Sequence, residues 1–247
     1  MKKNVIILGL LFSYLFTNGQ DLGEIHGDFN LNLQSYLEDA SINAVAADEV
    51  IRNNSYLNIL FTRNNFTAGV RYESYLNALL DYDDDFKGNG IPYRFATYST
   101  SGLEITAGNF YEQFGTGILL RSYEARNLGL DNALDGVRLI LSPIKPLTVK
   151  MVYGKQRIDF DSELINGDGI IRGINAELSL NDLSSKFENS KLRITPTYSF
   201  VSRFQAGGNI VKDTLILELP QNVGAWDYGA TLQYEMWKFG ITKTKKI

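Results

Sequence analysis

The feature that most constrains this chain is a two-residue alternation that recurs in segment after segment. From Glu24 to Tyr36, Ile25, Gly27, Phe29, Leu31 and Leu33 fall on one side, and Glu24, His26, Asp28, Asn30, Asn32 and Gln34 on the other. Successive side chains of a strand point to opposite faces, so this period specifies a strand with one apolar and one polar face. The same pattern returns at Ser55–Arg63, Phe66–Leu76, Tyr93–Ser99, Leu103–Phe110, Gly136–Ser142, Leu147–Gln156, Arg172–Leu180, Lys191–Arg203 and Val223–Met236, and Phe239 opens a last strand. Turns are expected at Arg63-Asn64-Asn65, Thr100-Ser101-Gly102 and Trp237-Lys238, and at Pro143-Ile144-Lys145-Pro146, where the prolines should end the strand.

Alternation alone fits a soluble β-sandwich as well as a membrane barrel. The connections favour the barrel. They run long, short, long, short along the chain: Leu37–Asn54 and Arg63–Asn65, Asn77–Pro92 and Thr100–Gly102, Tyr111–Asp135 and Pro143–Pro146, Arg157–Ile171 and a medium Asn181–Ser190, Phe204–Asn222 and Trp237–Lys238. Up-and-down outer-membrane barrels sort their connections in this way, whereas a sandwich has no reason to. Most segments also approach the ~9–11 residues that a tilted strand needs to cross a bilayer. Tyr72, Tyr153, Tyr198, Trp226 and Tyr234 sit on apolar faces like interfacial girdle residues. The fold class is therefore all-β, a transmembrane antiparallel up-and-down barrel over residues 20–247, with a soluble sandwich binding module as the competing reading. Eleven strands is an odd number, and the last ends in Lys243-Thr244-Lys245-Lys246-Ile247, so at least one closing strand is expected beyond the given sequence.

Lys2 and Lys3, the apolar run Val5–Leu15 and Thr17-Asn18-Gly19-Gln20 have the layout of a secretory signal peptide, cut after Gly19. A run of this length falls short of the ~20 residues of a helical anchor. Export to the outer membrane follows, with lipid as the obligatory partner.

Composition excludes several functions. No cysteine means no disulfide framework and no thiolate metal site, and a net charge of −4 argues against nucleic acid as a partner. No phosphate loop is present, and no cofactor is expected. The single histidine, His26, is the one candidate general base; no nucleophile motif accompanies it, so an enzyme is not expected. Asp81, Asp83, Asp84 and Asp85 form an acidic connection whose oxygens could hold calcium, but a hydrated loop is the preferred reading, since charge runs in loops are usually just solvated and the spacing is not that of an EF-hand.

The most distinctive stretch runs from Gly108 to Arg138. It holds Gly-Asn-Phe-Tyr-Glu-Gln-Phe-Gly-x-Gly (108–117), Leu-Arg-x-Tyr-Glu-x-Arg-x-Leu-Gly-x-Asp-Asn (120–132) and Asp-Gly-Val-Arg-Leu (135–139). These motifs resemble an uncharacterised family of outer-membrane β-barrel proteins from Gram-negative bacteria. More weakly, they are similar to the segment that forms the constriction of some porin-type barrels. The resemblance implies location and fold, not chemistry. Read physically, Glu112, Arg121, Glu124, Arg126, Asp131, Asp135 and Arg138 alternate in sign among glycines, as suits a long loop folded into a wet lumen. Such a loop could form a constriction that selects small solutes by charge, with Arg121, Arg126 and Arg138 against Glu124, Asp131 and Asp135. It could equally be a self-satisfied cluster that braces a plug. The functional expectation is a porin-like channel or envelope component. The alternative is a non-conducting barrel whose external loops bind a surface or secretion partner.

Overall fold

A computed structural model describes residues 22–45, 48–80, 82, 87–160, 169–204, 209–212, 215–218 and 221–246. The expected leader (1–19) and Asp81, Asp83, Asp84 and Asp85 lie outside the described residues.

One antiparallel up-and-down sheet organises the chain. Its strands are β1 (Glu24–Ser35), β2 (Ile51–Arg63), β3 (Phe66–Ser74), β4 (Asn89–Ser99), β5 (Leu103–Phe110), β8 (Leu134–Ile144), β9 (Leu147–Gln156), β10 (Ile170–Leu178), β11 (Leu192–Phe204), β14 (Asn222–Tyr234) and β15 (Trp237–Lys246), each paired with the next in that order. Two small hairpins, β6–β7 (Glu124–Ala125 with Leu130–Asp131) and β12–β13 (Asn209–Lys212 with Leu215–Glu218), lie within long connections. The eleven main strands coincide with the eleven alternating segments. β1 and β15 are the edges, with no ladder between them among the described residues. Among the described residues no helix is long and apolar enough to cross a membrane.

Three expected boundaries move. The last hairpin turns at Glu235–Met236, with Glu235 at φ 51°, so Trp237 and Lys238 open β15 instead of forming the turn. Pro143 lies inside β8, where the pairing with β9 shifts register between Leu141 and Ile144; an irregularity of this kind tolerates a residue without an N–H. The first tight turn is Asn64–Asn65 alone, with Asn64 at φ 49°. Loop sorting is retained, since the tight turns lie at one end and connections 36–50, 75–88, 111–133, 157–169 and 205–221 at the other. On the tight-turn side the exception is 179–191, which winds through the short helix α1 (Ser185–Glu188).

The burial pattern is the reverse of a soluble sheet's. Next to each other in sequence, Ile174 is 39% exposed and Asn175 0%, Tyr198 52% and Ser199 0%, Tyr228 45% and Asp227 2%. Apolar side chains therefore line the outward face and polar ones the sheltered face. Soluble sheets bury the apolar side, because removing apolar surface from water drives folding.

The sheltered face is concave. β3 and β9 are separated by four ladders, about 19 Å on a flat sheet at the usual spacing of neighbouring strands. Yet Arg157, which follows β9, holds Glu73 of β3 at 2.9 Å. Two side chains can meet across that separation only if the sheet curls around them.

Candidate functional site

The connection 111–133 folds over the concave face as two fingers. In the first, Ser122 N–H donates to the Glu112 carbonyl (2.9 Å), Phe114 N–H to the Leu120 carbonyl (3.0 Å) and Gly117 N–H to the Phe114 carbonyl (2.8 Å), which turns the chain back on itself. Its underside is apolar. Phe114 is fully buried with Phe110, Leu120, Leu134, Val152 and Ile171. Gly173 on β10 makes this seat possible, since a Cβ there would stand 2.6 Å from the Phe114 ring. The fingertip crosses to β15, where the Thr116 hydroxyl meets that of Thr242 at 2.7 Å and the bare backbone of Gly240 admits the Thr116 methyl.

The second finger, β6–β7, turns over Arg126–Leu128, with Gly129 in the left-handed region. Its charges meet the wall. Arg71 of β3 donates through Nε to Glu73 (2.6 Å), through Nη1 to Glu124 (3.1 Å) and through Nη2 to Asp131. Arg157 donates to Glu73 Oε2 (2.9 Å) and Asp131 Oδ2 (2.7 Å). Arg71, Glu73, Asp131 and Arg157 are all buried. Tyr111 donates to Asp131 Oδ1 (2.9 Å) and stacks on Tyr93, whose ring lies 4.5 Å beneath the Arg71 guanidinium. Burial pushes the Tyr111 phenol up, and the Asp131 charge adds to the shift. Such groups tolerate removal from water only when each charge is matched. The register of β3 with β4 shifts between Arg71 and Glu73, a local irregularity of the kind that re-aims side chains.

The charged residues expected to act together are distributed over several partners. Arg126 pairs with Glu124 at 2.7 Å; burial alone would lower its pKa, and the hydrogen bond and charge of Glu124 outweigh that and raise it. Glu124 and Asp131 converge on Arg71. Glu112 is buried against Lys150 (3.0 Å) and faces Arg138 (3.6 Å), which also binds Glu104. Asp135 pairs with Arg94 at 3.4 Å, and Arg121 lies exposed over the Tyr123 ring. His26 is exposed beside Glu24, 3.1 Å away.

Sequence reasoning missed the wall partners Arg71, Glu73 and Arg157. A signal existed in the Arg-x-Glu spacing that puts Arg71 and Glu73 on the polar face of one strand. The apolar seat was also signalled: Val152, Ile171 and Val201 occupy sheltered-face positions, where their own strands otherwise carry polar residues or glycine.

Open space remains on either side of the loop. A polar cavity of about 220 Å³ lies between Gly115 and the strand residues Glu177, Arg193, Thr195, Thr231 and Lys238. A larger one, about 660 Å³, lies between β1–β2 and the second finger.

The chain belongs to a family of unknown function, DUF6029, whose model matches residues 1–247. No curated protein matches it. Among solved structures it is similar to a mutant porin of Rhodopseudomonas blastica, with 16% identity and a TM-score of 0.32 over 90% of this chain and 94% of the porin.

Proposed function

We propose that this protein is an outer-membrane β-barrel whose interior is narrowed by connection 111–133, and that it acts as a porin-like channel for small polar solutes. The observation that carries this reading is the inverted burial: exposed apolar side chains cover the outward face while Asn175, Ser199 and Asp227 are sheltered. Water does not favour that arrangement, and lipid does. Aromatic residues support it at both ends of the sheet, with Phe61, Phe66, Tyr98, Tyr234 and Trp237 near the tight turns and Tyr72, Tyr153 and Trp226 towards the long connections. Near the long connections, the outward-facing Arg172 lies 5.8 Å from the Tyr153 ring, where a cation can reach headgroups. The reading requires edges β1 and β15 to be closed, because hydrocarbon offers unpaired backbone groups no partner. Residues 1–19 serve export, and lipid is the constant partner. No step of this function is catalytic.

A second reading is favoured by the pairing of the loop charges. With Glu112, Glu124, Asp131 and Arg126 all held, the loop can serve as a fixed plug, leaving the external connections to bind a partner. Gel mobility of unboiled against boiled outer-membrane extract, followed by planar-bilayer conductance, tests both. A heat-dependent shift with discrete conductance steps supports the channel, and a shift without conductance supports the plug. Protein in the soluble fraction with no shift overturns both and leaves a soluble sandwich.

A further inference from the structure

The concave face at β1–β2 carries a different chemistry from the face beneath the loop. Asn30, Asn32 and Gln34 of β1 and Asn54 and Tyr56 of β2 line the 660 Å³ cavity, which Leu79, Leu80, Tyr82, Arg126 and Leu128 complete. Antiparallel register places Asn32 opposite Asn54 and Asn30 opposite Tyr56. Cross-strand neighbours stand about 5 Å apart and same-face neighbours along a strand about 7 Å, so the amides form a regular grid. Each primary amide offers donors and an acceptor together. Asn54 uses its oxygen on the Leu79 N–H (3.3 Å), and the Asn30 and Asn32 side chains have no hydrogen-bond partner among the described residues.

Among the described residues, the lining carries no free charge. Arg126, the one ionised residue of the described lining, is held by Glu124 and lies 4.4 Å over the Tyr56 ring. Among the described residues an anionic ligand would find no spare cation, and a metal ion no carboxylate. A wholly apolar ligand would strand the amides without water. What fits is a neutral molecule with many hydroxyl groups, each both donor and acceptor, and with C–H faces for Leu80, Leu128 and the Tyr82 ring. The volume lies within the ordinary range of small-molecule sites.

We propose that this cavity binds a neutral oligosaccharide. The site is a property of β1–β2 and the second finger and does not depend on whether the interior conducts.

The test is calorimetric titration of the full chain, in a zwitterionic detergent free of sugar headgroups, with maltotriose, cellotriose, laminaritriose and chitotriose. Saturable binding of at least one is expected. Asn30→Ala and Asn32→Ala should each weaken it about fivefold or more, the loss of one neutral hydrogen bond. His26→Ala, on the same face of β1 but outside the cavity, should leave it unchanged. Raising the salt concentration should also leave it unchanged, since no ion pair forms. These two asparagines hold no structural contact, so both variants are expected to retain the parent's heat-dependent gel shift. No saturable binding by the unsubstituted chain overturns the proposal. So does undiminished binding by both variants, or binding abolished by salt.

Discussion

The two halves of the concave face obey one alternation rule and use it differently. Over β3 and β8–β11 the loop covers the face, and the charges gathered there are paired: Arg71, Glu73 and Lys150 on strands, Glu112, Asp131 and Arg157 on connections. Over β1 the face is bare. Every residue of β1 is exposed, and the stretch of its polar side that lines the cavity, Asn30, Asn32 and Gln34, is all amide, with Glu24, His26 and Asp28 further along in solvent. A charge beneath a cover must be matched atom for atom, whereas an amide in water can wait for a ligand. The covered half is thus a structural joint, and the bare half is where binding capacity remains.

The comparison predicts unequal costs of substitution. Arg157→Ala should have the largest effect: it removes one of the two buried cations that Glu73 and Asp131 share, leaving both carboxylates to Arg71, and should cost about 3–5 kcal/mol, the usual penalty of breaking one side of a buried pair. The check is a lower temperature for the heat-dependent gel shift, together with new protease cleavage in 111–133. Phe114→Ala should follow at about 3 kcal/mol, because it empties the apolar seat over Gly173. It should loosen the first finger while leaving the Arg71 joint intact, so protection from cleavage should fall first around Gly115–Gly117. The smallest effect is expected from Asp28→Asn on the bare half, within about 0.5 kcal/mol, since it removes an exposed charge that, among the described residues, is bonded only to Asn58. If Asp28→Asn were as costly as Arg157→Ala, the distinction between joint and open face would be lost.

How much was legible in the sequence divides along the same line. Strand positions were readable because a one-residue error in a strand flips every side chain to the wrong face, and Ile174 against Asn175 fixes the phase of β10. Turn boundaries were less so: Trp237 reads as turn or strand until its pairing with Tyr234 is known. The charges of 111–133 stood out in the sequence. Their partners did not, because Glu73 and Arg157 are 84 residues apart and meet only once the sheet has curled. The amide positions of β1 were visible as a polar face, but the walls of the cavity come from connections whose path the alternation does not record.

The central claim is that the outward face meets lipid and the concave face meets water. The chain has no cysteine, so single cysteines can report on each face without background. Cysteine substitutions at residues 174 to 177 of β10, in protein reconstituted into vesicles, should alternate. Ile174→Cys and Ala176→Cys should be reached by a quencher carried on lipid tails. Asn175→Cys and Glu177→Cys should lie beyond that quencher's reach, with Glu177→Cys labelled from the aqueous phase. Uniform aqueous labelling, or the opposite alternation, would contradict the account.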